Sequence, residues 1–531
     1  MNTDTEGTLA APRKPGARIR TLRRVSQWSV FLLFVFLFLN TEYKDNDVLP
    51  YAVNLFLRLD PLMAGAASLA GRALITLVWP ALVLALLTVF FGRFFCGWVC
   101  PLGAVIDAAD ATVFRKTPRG GAVPASWRRY KFLILFFLAV SSLFTLQWVF
   151  LFDPISILIR TFTVSVYPAM NLVLHQVFDG LYRMPGPIPR ISEPVYGFLK
   201  SHFLAFEQPV FRTSAFVGLL FLGILAAERY QRRFWCRNLC PLGGLLGLMG
   251  RFGLFRRRIT AEGCTRCGLC ESNCRMGATG NDVAVTDHGA CIECMDCQAV
   301  CPEEVIHFSG TEGRRPAAVD LTRRGVLASV ALGAVTVPFF RVEAHGKAQD
   351  PLLIRPPGAL PEGEFLGRCT RCGECMRVCI ANGLQPTWFE AGIEGMWSPV
   401  LVPRIGYCEY NCTLCGQVCP TGAIRRLPLQ EKRKVKLGLA YVDRSRCLPW
   451  KGESDCIVCE EHCPTGSKAI VLKEEKTLTQ GGEWKTFKKP YIEDALCVGC
   501  GICETKCPLT DRAAVLVTSR GETRSTGVLA R

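Results

Sequence analysis

Cys264, Cys267, Cys270 and Cys274 fall within eleven residues, and Cys291, Cys294, Cys297 and Cys301 repeat the spacing C-x2-C-x2-C-x3-C. Three closely spaced thiolates can cap three irons of a [4Fe–4S] cubane while a fourth reaches the neighbouring one. The spacing therefore predicts Cys264, Cys267, Cys270 and Cys301 on one cluster. Cys291, Cys294, Cys297 and Cys274 would hold the other. Zinc sites usually draw on well-separated cysteine pairs, so four cysteines this close, twice, argue for iron–sulfur chemistry.

Four more groups follow: Cys369, Cys372, Cys375, Cys379; Cys408, Cys412, Cys415, Cys419; Cys447, Cys456, Cys459, Cys463; and Cys497, Cys500, Cys503, Cys507. These suit four further cubanes in two modules, with the exchange of fourth ligands left open. Disulfides are the alternative, because this block is expected in an oxidising compartment. Neighbours so close would form strained bridges. Six [4Fe–4S] clusters use 24 of the 28 cysteines. The remaining four, Cys96, Cys100, Cys236 and Cys240, sit in two C-x3-C-P loops. They are open to a seventh metal centre, a redox-active thiol pair or a packing role.

Half of the 531 residues are hydrophobic, and the formal charge is +17. Each oxidised cubane with its four thiolates carries about −2, so six bring the total to roughly +5. The basic excess is then local compensation and membrane orientation, and nucleic acid is not an expected partner. Apolar runs at 28–39, 73–91, 132–152 and 211–227, with a shorter one at 326–340, are candidate spans of a ~30 Å hydrocarbon layer. The first lacks a small-residue cleavage site and reads as an anchor. Trp28, Trp79 and Trp148 suit the membrane interface.

Lys and Arg are dense in the N-terminal tail, in 115–131 and in 229–258, and sparser in 40–72 and 153–212. The positive-inside rule places the first three in the cytoplasm. An Asp-Pro turn, a span and a Cys loop recur: Asp60-Pro with Gly92–Val105, then Asp153-Pro with Gln231–Leu245. Two such halves would bring the Cys loops together about a pseudo-symmetry axis. The insertion 163–209 suggests an irregular external cap. Thr322-Arg323-Arg324, before a weakly apolar run, has the form of an internal twin-arginine signal carrying the last block outward already folded.

The expected fold is an α-helical membrane bundle, four helices plus one crossing helix, with α+β bacterial-type 2[4Fe–4S] ferredoxin modules on both sides. The expected boundaries are 1–24 for a cytoplasmic basic tail and 25–258 for the membrane domain. A cytoplasmic two-cluster ferredoxin follows at 259–321, a twin-arginine-like helix at 322–345 and a periplasmic four-cluster domain at 346–531.

Residues 13–308, with GRFFCGWVCPLG, RRFWCRNLCPLG and the paired C-x2-C-x2-C-x3-C runs, resemble the NapH-type membrane ferredoxins, related to the NosR core. Residues 322–531 look like the NapG/MauM-type periplasmic ferredoxins. This resemblance implies a quinol dehydrogenase in the bacterial inner membrane, passing electrons from the quinone pool to a periplasmic redox enzyme or cytochrome c, with further membrane or periplasmic subunits. Here the two parts are fused and an insertion is present, which leaves the acceptor open. The alternative implied function is an accessory donor that matures or reactivates a periplasmic metalloenzyme.

One-electron carriers suit the splitting of a two-electron quinol. With six His, none in the four main spans, and no C-x-x-C-H, haem is a poor fit. Asp60 and Asp153 are candidate proton acceptors for quinol, and equally helix N-caps preceding proline. Clusters on opposite faces require a bound quinone or a partner subunit to bridge them.

Overall fold

The computed structural model describes residues 15–43, 47–49, 51, 53–115, 123–185, 188–205, 207–279, 285–310, 322–346, 350–479 and 482–526. Residues 1–14 of the expected basic tail and the link 311–321 lie outside the described residues. The chain divides into two compact units. One comprises 1–33, 83–132 and 225–322; the other comprises 34–82, 133–224 and 323–531.

Two helices are long and apolar enough to cross a membrane, Arg18–Asn40 and Pro154–Tyr182. The other apolar runs form shorter helices, among them Pro80–Phe91, Tyr130–Leu143 and Ser214–Ala226. Four full-length spans are therefore not what the described helices provide. The insertion is also more regular than its Pro and Gly content suggests. After the turn Phe162–Val166 it forms Tyr167–Tyr182 and Ile188–His202, two packed helices rather than an irregular cap. Pro168 sits in the first turn of its helix, where its missing N–H costs nothing.

Both Asp-Pro turns start helices as their sequence implies. Asp60 Oδ1 accepts from the N–H groups of Leu62 and Met63 at 2.8 and 3.2 Å. Asp153 Oδ2 accepts from Ser156 N–H at 2.7 Å. Both caps lie in the second unit.

The cysteine blocks are built from short antiparallel ribbons and one-turn helices. In the first unit Phe255–Ile259 pairs with Ile306–Gly310, flanking the eight cysteines between them. In the second, Leu439–Val442 pairs with Val515–Thr518, and Ile470–Leu478 with Trp484–Ile492. Strand and helix lengths of four to nine residues leave little apolar core of their own. In the second unit aliphatic and aromatic side chains from across the unit supply most of the core, and Cys369, Cys375, Cys459, Cys497 and Cys503 join them.

Candidate functional site

In the first unit one cradle is lined by Cys264, Cys267, Cys270 and Cys301, and another by Cys274, Cys291, Cys294 and Cys297. These are the two sets expected from spacing, exchanged fourth cysteine included. In the second unit one cradle is lined by Cys379, Cys408, Cys412 and Cys415, and another by Cys447, Cys456, Cys459 and Cys507. That leaves Cys369, Cys372 and Cys375, which interact electrostatically with one another and with Cys419. Cys500 likewise interacts with Cys497 and Cys463, and Cys503 with Cys500 and Cys497. The first C-terminal group thus pairs with the second, and the third with the fourth, an arrangement that spacing alone left open.

The backbone of the C-x2-C-x2-C loops explains how three thiols face one point. The residues flanking the middle cysteine are left-handed in every case: Arg266 and Gly268, Glu293 and Met295, Arg371 and Gly373, Gly499 and Gly501. Such alternation turns successive N–H groups inward as an anion-binding concavity, which suits a cluster of negative charge. A non-glycine residue there costs roughly 1–2 kcal/mol, so Arg266, Glu293, Met295 and Arg371 are positions where a bound group offsets backbone strain.

The donor set fits iron–sulfur ligation in two further ways. Burial pushes the thiols up, Cys297 to about 11 and Cys459 and Cys500 to about 12, so a cation is needed to hold the thiolates. Backbone N–H groups aim at sulfur: Ala278 at Cys274 (3.2 Å), Ile424 at Cys419 (3.4 Å) and Ala514 at Cys507 (3.4 Å). Hydrogen bonds to sulfur tune cluster potential.

The two C-x3-C-P loops come together in the first unit. Each places its second cysteine before a helix beginning with proline, Pro101–Thr112 and Pro241–Gly250. Cys96, Cys100, Cys236 and Cys240 interact electrostatically with one another, and burial drives Cys236 up to about 12. Two buried arginines cross between the halves. Arg233, three residues before Cys236, donates to the Cys96 carbonyl at 2.8 Å and to the Gly103 carbonyl at 3.5 Å. Arg93, three residues before Cys96, extends to Gly243 of the other half.

Asp107 anchors Arg233 (2.8 Å) and Arg275 (2.9 Å), with Gln27 at 3.1 Å, which ties the anchor helix, one Cys loop and the ferredoxin block together. Trp98 Nε1 donates to the Glu293 carbonyl at 3.0 Å, and Arg93 to that of Gly289 at 2.9 Å. The four thiols thus lie beside the loop that carries Cys291–Cys297.

In the second unit Asp60 and Asp153, both fully buried, face each other. Burial, then the neighbouring carboxylate, drives Asp60 well above the ordinary range; burial also raises Asp153. Asp60 Oδ2 and Asp153 Oδ1 have no other partner among the described residues, so the geometry suits one proton held between them. Arg160, on the same helix as the Asp153 cap, donates to the carbonyls of Phe150 and Arg371 at 3.3 Å. Its guanidinium stacks 4.3 Å from the Trp397 ring centroid. These Arg160 contacts carried no sequence signal.

A family model described as a 4Fe-4S binding domain matches residues 73–119 and again 213–261. Those segments are the two halves of the internal repeat. Ferredoxin-type protein NapH of Haemophilus influenzae is 27% identical over 303 residues, 55% of this chain and 78% of that protein. Methylamine utilization ferredoxin-type protein MauM of Methylorubrum extorquens is 42% identical over 115 residues, 21% of this chain and half of that one. Protein NirI of Paracoccus denitrificans is 30% identical over 230 residues. Its homologues are ferredoxin-type proteins. NapG is a further one, and a NapH/NapG-like fusion is consistent with all of them. The matched region is 43% of this chain and only 27% of NirI. No solved structure matches the chain. The matched 4Fe-4S binding domain and the cysteine sets together support the binding of [4Fe–4S] clusters.

Proposed function

We propose that this protein is a membrane-bound electron-transfer protein of quinol dehydrogenase type, passing electrons from the quinone pool to a periplasmic reductase or cytochrome c. The observation that carries the reading is the division of the chain. The Lys- and Arg-rich segments 1–24, 115–131 and 229–258 fall in the unit that holds Cys264–Cys301. The sparser loops 40–72 and 153–212 fall in the unit that holds Cys369–Cys507. By the positive-inside rule the first set is cytoplasmic and the second periplasmic. Each cysteine block therefore belongs with the loops of its own face of the inner membrane.

Six [4Fe–4S] clusters, on the ligand sets given above, form the proposed wire. A seventh centre at Cys96, Cys100, Cys236 and Cys240 is supported by the family model, whose two matched segments hold these four cysteines and none of the other 24. Asp60 and Asp153 stay in the proposal as a proton-holding pair. Arg323 and Arg324 open the helix Arg323–Gly346, in keeping with twin-arginine export of the block beyond it.

Steady oxidation of a short-chain quinol by the purified full-length protein, with a cytochrome c as acceptor, tests this function. Sustained turnover is the expected result. Oxidation only while a periplasmic metalloenzyme is being assembled would overturn it in favour of the accessory role.

A further inference from the structure

The second unit contains a cavity of about 680 Å³, within the ~300–1,000 Å³ range of sites that bury small organic ligands. Its floor is the stretch Met376–Asn382, which includes Cys379. Cys379 also lines the cradle formed with Cys408, Cys412 and Cys415. A molecule in the cavity would be separated from that four-thiol set by the thickness of one residue.

Part of the lining comes from the helix Pro154–Tyr182, one of the two long and apolar enough to span a membrane. At Phe162–Val166 this helix widens into a single π turn, a distortion frequent at functional sites. The turn supplies Thr163 to the wall, and Tyr167 follows it. Both residues are almost fully buried; Thr163 Oγ1 has no hydrogen-bond partner among the described residues, and the Tyr167 hydroxyl is approached by Asn171 and Arg377. Buried hydroxyls are ordinarily paired, so the unpaired Thr163 hydroxyl beside this space marks a place for a ligand's oxygen.

Charge is arranged around the same space. Arg377 Nη2 pairs with Glu42 Oε2 at 3.1 Å, and its guanidinium lies 4.0 Å from the Tyr167 ring centroid. Glu42 and Glu207 both line the cavity. The wall therefore offers the aromatic ring and hydroxyl of Tyr167, the unpaired hydroxyl of Thr163, two carboxylates and a neighbouring four-thiol cradle.

We infer that this cavity is the quinol site, an inference that rests on the function proposed above. The quinol hydroxyls would hydrogen-bond to Thr163 and Tyr167. On oxidation the two O–H bonds break and the ring becomes a quinone. The two protons pass to the carboxylates of Glu42 and Glu207 and on to water. The two electrons would leave one at a time through the one-electron centre that Cys379, Cys408, Cys412 and Cys415 would hold, the first being passed on towards the cytochrome c or reductase acceptor before the second arrives.

Photolabelling of the full-length protein in lipid nanodiscs with an azido-substituted short-chain quinone tests the site directly, with no turnover required. Label is expected on peptides containing Thr163–Tyr167 and Met376–Asn382. Thr163→Val combined with Tyr167→Phe, checked by unchanged iron content, is expected to weaken quinone binding at least about tenfold. Ala381→Phe, which narrows the cavity beside Cys379, should markedly reduce labelling there. Label confined to other peptides, or unchanged affinity in both variants, overturns the site. Turnover with label elsewhere removes this cavity and leaves the function standing. Labelling here without turnover keeps the cavity and removes the function.

Discussion

A Cβ at Gly243 would lie 2.7 Å from Nη2 of Arg93. The two residues belong to opposite halves of the internal repeat, and their counterparts Arg233 and Gly103 meet in the same way, at 3.4 Å. Each half thus lends an arginine, three residues before its first cysteine, to the glycine three residues after the other half's second cysteine. This exchange holds the four loop thiols together.

Gly243→Ala is therefore expected to displace Arg93 and loosen that thiol set, at about 1–3 kcal/mol. Metal analysis should show loss of the iron bound there and none from the other 24 cysteines. Gly65→Ala is the control: no atom lies within 4 Å of its added methyl group, and helix propensity favours alanine by roughly 1 kcal/mol. Equal effects of the two substitutions would exclude the cross-brace.

Met295 sits at φ +57° between Cys294 and Cys297. Met295→Gly should relieve backbone strain and stabilise the loop by about 1 kcal/mol. Slower loss of iron to a chelator is the expected reading, and faster loss would show that the methionine side chain matters more than its backbone.

Asp60→Asn keeps an effective N-cap and supplies an N–H in place of the proton between Asp60 and Asp153. The protein should fold normally, while the infrared carbonyl band of a protonated carboxylic acid disappears. Asp60→Ala removes the cap as well and should cost a further ~1 kcal/mol in denaturant unfolding. Retention of the band in Asp60→Asn would mean that the proton resides elsewhere.

Burial opposes ionisation of Glu362, but the guanidinium of Arg355, with Nε 3.2 Å away, and then that of Arg524, outweigh it and pull the pKa from 4.5 to about 2. Because the folded value is depressed, the stabilisation is complete above pH 4.5 and is lost as pH falls towards 2. Its size is on the order of 2–3 kcal/mol. Glu362→Gln should therefore lower the unfolding midpoint at pH 7, and the gap to wild type should narrow below pH 4.5. A gap independent of pH would place the effect in packing instead.

The fixed spacing C-x2-C-x2-C-x3-C determines which thiols can converge, so the grouping of Cys301 with Cys264, Cys267 and Cys270, and of Cys274 with Cys291, Cys294 and Cys297, around two cradles was readable from the chain. The C-terminal exchange was not, because C-x3-C at Cys408 and the eight residues between Cys447 and Cys456 break that register. Proline after Asp60 and Asp153 announced two caps, whereas their mutual contact depends on packing between distant segments. The arginine cross-brace did leave a signal: Arg93 and Gly103 recur as Arg233 and Gly243 at the same offsets from the cysteines. The large cavity left none, since Glu42, Thr163, Arg377 and Tyr407 come from four separate stretches. The helices in 163–209 were obscured by Pro168 early in one and by Pro194 and Gly197 inside the other.

The central claim is that quinol reduces this chain's iron–sulfur centres. Anaerobic addition of a short-chain quinol to the full-length protein, followed by EPR against the iron count, about 24 atoms for six cubanes and more with a seventh centre at the loop thiols, is the decisive measurement. Reduced-cluster signals should reach a large part of the amplitude obtained with dithionite. Clusters that respond to dithionite and remain silent with quinol, or a preparation holding zinc without iron, would contradict it.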